Sequence, residues 1–87
     1  MKRFESIVAA HPRVGAHLST ETAVVRGQLA SLGFAPCDAD ASGVDWLVND
    51  DTSGPAPAVD VPVLHLNGNI SIYGLKQAIV ALFDNRG

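Results

Sequence analysis

The residues of this chain whose types could do chemistry are His11, His17 and His65, a single cysteine at Cys37, and the aspartates Asp38, Asp40, Asp45, Asp50, Asp51 and Asp60. A protein metal site gathers imidazole, thiolate and carboxylate ligands at close spacing. His11 and His17 stand six positions apart across Pro12 and Gly15. That is not the i, i+4 spacing that sets two imidazoles on one helical face. His65 is remote from both in sequence and reads as a hydrogen-bonded residue in or beside a strand. No metal site is expected from these three.

Cys37 follows Pro36 in a loop, with no second cysteine to pair with and no base beside it. Neither a disulfide nor an activated nucleophile is expected. The run Asp38-Ala39-Asp40-Ala41-Ser42-Gly43 begins like a calcium loop, but Val44 follows the glycine and Asn49 stands where such a loop needs a bidentate glutamate. With no complete catalytic or ligating set, the chain reads as a non-enzyme without a cofactor.

Charge separates the remaining classes of function. Nine acidic and six basic residues give a net charge of −3, and no Lys or Arg lies between Arg26 and Lys76. A nucleic-acid reader needs clustered bases to displace counterions from phosphates, and this composition argues against one. The acidic middle third instead predicts a non-catalytic protein-binding or regulatory module, its partner another protein with a basic surface. The predicted binding surface is Asp45, Trp46, Leu47, Asp50 and Asp51. Period-two alternation sets Leu47 opposite Trp46, so one of the two is expected as an exposed apolar anchor unless a helix covers each face.

The elements that must position these residues are few. Eighty-seven residues, 47% of them hydrophobic, predict one small domain spanning 1–87, with dimerisation as a plausible supplement to a thin core. A helix is predicted over Thr20–Leu32, capped by Ser19 and stopped by Gly33. A second is predicted over Ile72–Asp84, capped by Ser71. Phe4–Ala10 fits a short helix or a strand. Val44–Asn49 and Val61–Leu66 read as strands, joined by the turn-rich loop Asp50–Asp60. The fold expected is α+β, with two to three helices and a small, mainly antiparallel sheet. The longest strongly apolar stretch, Val61–Leu66, is far short of a membrane span, and Glu5 and His11 interrupt any secretory signal. A cytoplasmic location is expected.

Two stretches resemble known families. Val61-Pro62-Val63-Leu64-His65-Leu66-Asn67-Gly68, continuing into a helix, resembles the second half of a thioredoxin or glutaredoxin domain. The resemblance implies a cis-proline before a strand, a further short strand and a final helix. The family's cysteine position falls in His11–Thr20, which holds none, so it implies a thioredoxin-like domain lacking redox cysteines. Val14–Val48, with Val14-Gly15-Ala16-His17-Leu18-Ser19 and a helix ending Leu29-Ala30-Ser31-Leu32-Gly33-Phe34, is similar to a winged helix-turn-helix domain. That likeness implies a DNA-binding transcriptional regulator, against the sign of Asp38 and Asp40 in the wing.

Overall fold

The computed structural model describes residues 2–38, 43–55 and 58–86. Along the chain run α1 (Lys2–Ala10), β1 (Arg13–His17), α2 (Val24–Ser31), β2 (Ala35–Asp38) and β3 (Trp46–Asp50), then a 3-10 turn (Asp51–Ser53), β4 (Val63–Leu66) and α3 (Ile72–Arg86). The strands form one sheet in the order β2-β1-β3-β4, and every adjacent pair is parallel.

The all-parallel sheet corrects the expected mainly antiparallel one. Its cause is the pair of strands that the sequence hides. β1 and β2 flank α2 as a β-α-β unit, whose helix carries the chain back to start a second strand in the same direction. β1 has one strong strand former, Val14, beside Gly15, and β2 contains Pro36, which is tolerated because β2 lies at the sheet's edge. Residues 51–62 between β3 and β4 are likewise enough for a return to the starting edge.

This topology also corrects both family expectations. Val14–Val48 forms the β-α-β unit and leads into β3, where a winged domain needs a second helix and a hairpin. No strand follows β4 before α3, and no cis peptide bond is present among the described residues.

Element boundaries follow local hydrogen bonding. α1 resolves the helix-or-strand alternative for Phe4–Ala10 in favour of helix. α2 starts later than the expected Thr20, because Thr22 N–H closes a turn on the Ser19 carbonyl at 3.2 Å, and Ala23, not Ser19, occupies the N-cap. Its end is as expected: Gly33 takes φ +105°, and Phe34 N–H returns to the Leu29 carbonyl at 3.1 Å. At the start of α3, Ser71 Oγ accepts from Gly74 N–H at 3.1 Å.

Register decides the two faces of the sheet. Val14, Trp46, Val48, Leu64 and Leu66 share one face, and all three helices pack on it through Phe4 and Ile7, Val25 and Leu29, and Leu75 and Ile79. Trp46 is central to that layer. Its ring meets Phe34 and Phe83 edge-on at centroid distances of 5.1 and 5.8 Å, and its Nε1–H donates to the His11 carbonyl at 3.1 Å.

Gly15, His17, Cys37, Leu47, Asn49, Val63 and His65 alternate onto the opposite face. None of them belongs to the core cluster that the helices build. No helix among the described residues is long and apolar enough to cross a membrane.

Candidate functional site

Parallel strands bring all their carboxyl ends to one edge of the sheet. In open sheets of this kind ligands bind at that edge, where successive connections leave in opposite directions. Here the chain leaves β1 toward β2 on one side and takes up β3 on the other, so the switch lies between β1 and β3.

The residues at this edge are chemically distinct. β1 ends on His17, β3 on Asn49 and Asp50 with Asp51 following, and β4 carries His65 one residue from its end. His17 pairs with Asn49 and Asn49 with His65, so the three stand in one row across three strands, on the face without helices.

A continuous hydrogen-bonded chain links them. Asn49 Nδ2 donates to Asp51 Oδ1 at 2.7 Å, which leaves Asn49 Oδ1 as the acceptor for His17 Nδ1–H at 2.6 Å. Asp51 Oδ1 accepts a second bond from His65 Nδ1 at 2.9 Å. Both imidazoles are thereby fixed through Nδ1, and each keeps Nε2 for another partner. Asn49 is fully buried, whereas the side chains of His65 and Asp51 are 56% and 52% exposed. The bond from His65, then that from Asn49, hold the Asp51 carboxyl below its ordinary range against partial desolvation. Charge on His65 acts in the same direction, and the negative charge of Asp50 opposes it.

Asp50 points to the opposite face and is wholly buried. Its Oδ1 accepts from Thr52 Oγ1 at 2.7 Å, Thr52 N–H at 3.0 Å and Gly68 N–H at 3.4 Å. Its Oδ2 accepts from Thr22 Oγ1 at 2.8 Å, Ser53 Oγ at 3.2 Å and Ser19 Oγ at 3.4 Å. These donors come from three connections: the turn before α2, the turn after β3 and the turn after β4. The Thr52 hydroxyl is the largest influence holding this carboxyl far below the usual carboxylate range, and burial opposes it. The bonds from Thr22, Thr52 N–H and Ser53 add to the lowering. A buried carboxylate so supplied with donors stays ionised. It fastens the loops that frame the exposed row.

The five residues expected to form a binding surface are therefore dispersed. Trp46 is in the helix-side core, and Leu47 is buried on the other face, so neither is an exposed anchor. Asp45 lies at the opposite, amino edge, where its Oδ2 accepts from Arg13 N–H at 3.0 Å. Asp50 is enclosed, and Asp51 alone of the five is exposed. Sequence reasoning missed His17 and Asn49 as a pair with His65, because only the parallel register makes positions 17, 49 and 65 neighbours. It also missed the Ser19 and Thr22 hydroxyls as partners of Asp50, reading Ser19 as a helix cap.

Further acids stand at the same edge. β2 ends on Asp38, whose side chain is 83% exposed and 3.7 Å from Arg26, and Glu21 is exposed in the turn before α2. Asn69 Nδ2 donates to the Glu21 carbonyl at 3.0 Å, tying that turn to the one preceding α3. Asp51 and His65 form an oriented carboxylate–imidazole pair, but neither imidazole Nε2 meets a hydroxyl or thiol among the described residues. No group of three or more His, Cys, Asp or Glu among the described residues is arranged to hold a metal ion. The edge is equipped for hydrogen-bonding and electrostatic recognition. Compared with protein-family models, curated proteins and solved structures, the chain matches none of them.

Proposed function

We propose that the chain is a non-catalytic binding module that recognises another protein through the carboxyl edge of its sheet, the partner presenting positive charge and hydrogen-bond donors. The observation that carries this reading is the chain His17–Asn49–Asp51–His65 on the helix-free face. It holds a half-exposed carboxylate and two imidazoles in fixed orientation. Groups held this way lose little freedom on binding, which lowers the entropic penalty of recognition. Glu21 extends the negative potential along the edge, where the charge of Asp38 is offset by Arg26, and would steer a basic partner toward it, an effect read in association rate and salt dependence.

A two-dimensional NMR titration with a hexalysine peptide tests the proposal. The expected result is a set of salt-sensitive shift changes in Asp51, His65, His17, Asp38 and Glu21, with Asp45 and Arg13 at the far edge unmoved. Asp51→Lys should remove most of the response while leaving the folded spectrum in place. Equal perturbation of both edges, or a response that survives Asp51→Lys, would sink the proposal. Asp50 is unsuitable for this purpose, because its replacement releases three turns at once.

A further inference from the structure

The two outer strands of the sheet differ in what they offer along their free edges. In β2, Ala35 N–H donates to the Pro12 carbonyl at 2.7 Å. That directs the main-chain groups of Ala35 and Cys37 toward β1 and those of Pro36 and Asp38 outward. Pro36 has no N–H to give, and Asp38 puts an exposed charge on the same edge. Proline and charge both discourage the pairing of a further strand.

In β4, Leu47 N–H donates to the Pro62 carbonyl at 2.8 Å. Pro62, Leu64 and Leu66 therefore face β3, and Val63 and His65 turn their main-chain groups away from it. Each of the two keeps an N–H and a C=O, and among the described residues none of these groups makes a hydrogen bond. No proline lies within Val63–Leu66 and no Asp, Glu, Lys or Arg guards it. This edge is open.

The chemistry around the edge selects its occupant. Asp60 is exposed three residues before Val63 and makes no interaction among the described residues. Asp51, beside His65, is half-exposed and takes both of its side-chain bonds on Oδ1. A second copy would bring the same acids and a net charge of −3 to this edge, whereas a basic segment is drawn to it. A strand laid antiparallel on β4 sets its residues opposite Val63 and His65 on the helix-free face, on the side of Asp51. The residue between them falls on the helix side, next to Leu64.

We propose that the open edge of β4 is where the partner docks: an extended segment of another protein, alternating basic and apolar side chains, adds antiparallel to β4 as a further strand. The main chain of Val63 and His65 supplies its hydrogen bonds, and Asp51 and Asp60 supply the attraction. The proposal rests on the function proposed above and adds the form the partner takes.

The probe is the blocked pentapeptide Lys-Val-Lys-Val-Lys, titrated at low salt and followed by NMR. At roughly 90% occupancy the amide exchange of Val63 and His65 should slow by about tenfold. Methylating the main-chain nitrogen of the central Lys removes a donor that faces β4 and should weaken binding by at least about tenfold. Methylating a Val nitrogen, which faces away, should change it by less than about threefold. These arms leave the protein unaltered. Binding that shifts Asp51 and the His65 ring but leaves the Val63 and His65 amides exchanging freely overturns the added strand while the carboxyl-edge reading stands. Equal effects of the two methylations overturn it as well. So does protection of Val63 and His65 that grows with protein concentration in the absence of peptide, which would assign the edge to a second copy. Absence of binding also overturns it, and the hexalysine titration then decides the carboxyl-edge reading separately.

Discussion

The two ends of β3 carry the same residue type in opposite circumstances. At the amino end Asp45 is half-buried and makes one backbone-directed bond, while Trp46 beside it closes the core with aromatic edges and a single indole hydrogen bond. At the carboxyl end Asp50 is enclosed by hydroxyls and backbone amides from three connections, and Asp51 is tied into the imidazole row. One end is secured by apolar contact and the other by polar saturation. The difference follows from topology: a parallel sheet sends its connections away from both edges, but here the loops that converge with donors all gather at the carboxyl edge.

The largest effect separating the two ends should come from Trp46→Ala. Removing a fully buried indole from between Phe34 and Phe83 should destabilise by about 3–5 kcal/mol, a large share of the roughly 5–15 kcal/mol available to a domain. Chemical denaturation should show the loss in midpoint, with Trp46→Phe retaining a good part of the stability. A loss below about 1 kcal/mol would mean that the amino end is not held by apolar packing.

Asp50→Ala should come next, with a thermal midpoint lowered by on the order of 10 °C, since six donor contacts lose their acceptor inside the fold. Hydrogen exchange distinguishes this from a general weakening. Protection should fall first at Thr22, Thr52 and Gly68, while amides around Val14 and Trp46 follow only the global change. Uniform loss across the molecule would count against a local fastening role.

The helical part of this comparison was legible in the sequence, and its sheet was not. Ser71 and Gly33 carry local chemistry, and the structure uses them at the cap and the stop as expected. β1 and β2 carry almost none: Arg-Val-Gly-Ala-His and Ala-Pro-Cys-Asp lack the β-branched density by which a strand is recognised. Without β1 there is no central strand, and without a central strand neither the parallel direction nor the row His17–Asn49–His65 can be inferred. Asp51 was accessible to reasoning from charge alone. Asp50, its neighbour, was not, because burial depends on donors that lie 28 and 18 residues away, at Thr22 and Gly68.

Acid titration sharpens the contrast further. Both Asp50 and Asp51 have folded-state carboxyls below their ordinary range, so each binds its proton more readily in the unfolded chain. Their contribution is present in full above about pH 4 and is lost as pH falls through and below that value. Stability of the parent chain should therefore decline on acidification, and Asp50→Asn should flatten the decline more than Asp51→Asn. An acid limb of equal slope in the parent and Asp50→Asn would remove Asp50 as its main source.

The smallest effect, and the one that completes the comparison, is expected from Asp45→Ala. Among the described residues its carboxylate accepts one bond, from Arg13 N–H at 3.0 Å, and its own N–H donates to the Arg13 carbonyl at 2.7 Å through the main chain. Substitution removes the first bond and leaves the second. Arg13 is exposed, so its freed amide can turn to water, and the net value of such a bond is about 0.5–1.5 kcal/mol. The loss should lie at the lower end of that range, well short of the effect of Asp50→Ala on the same strand. It should also leave the imidazole row untouched, because the β1–β3 register is set by the ladder from Val14–Trp46 to His17–Asn49. Matched thermal melts of the two variants, with the His17 and His65 ring resonances followed in each, decide the matter. A melt for Asp45→Ala as depressed as that for Asp50→Ala, or displaced imidazole signals in Asp45→Ala, would show that the two ends of β3 are coupled and are not secured by separate means.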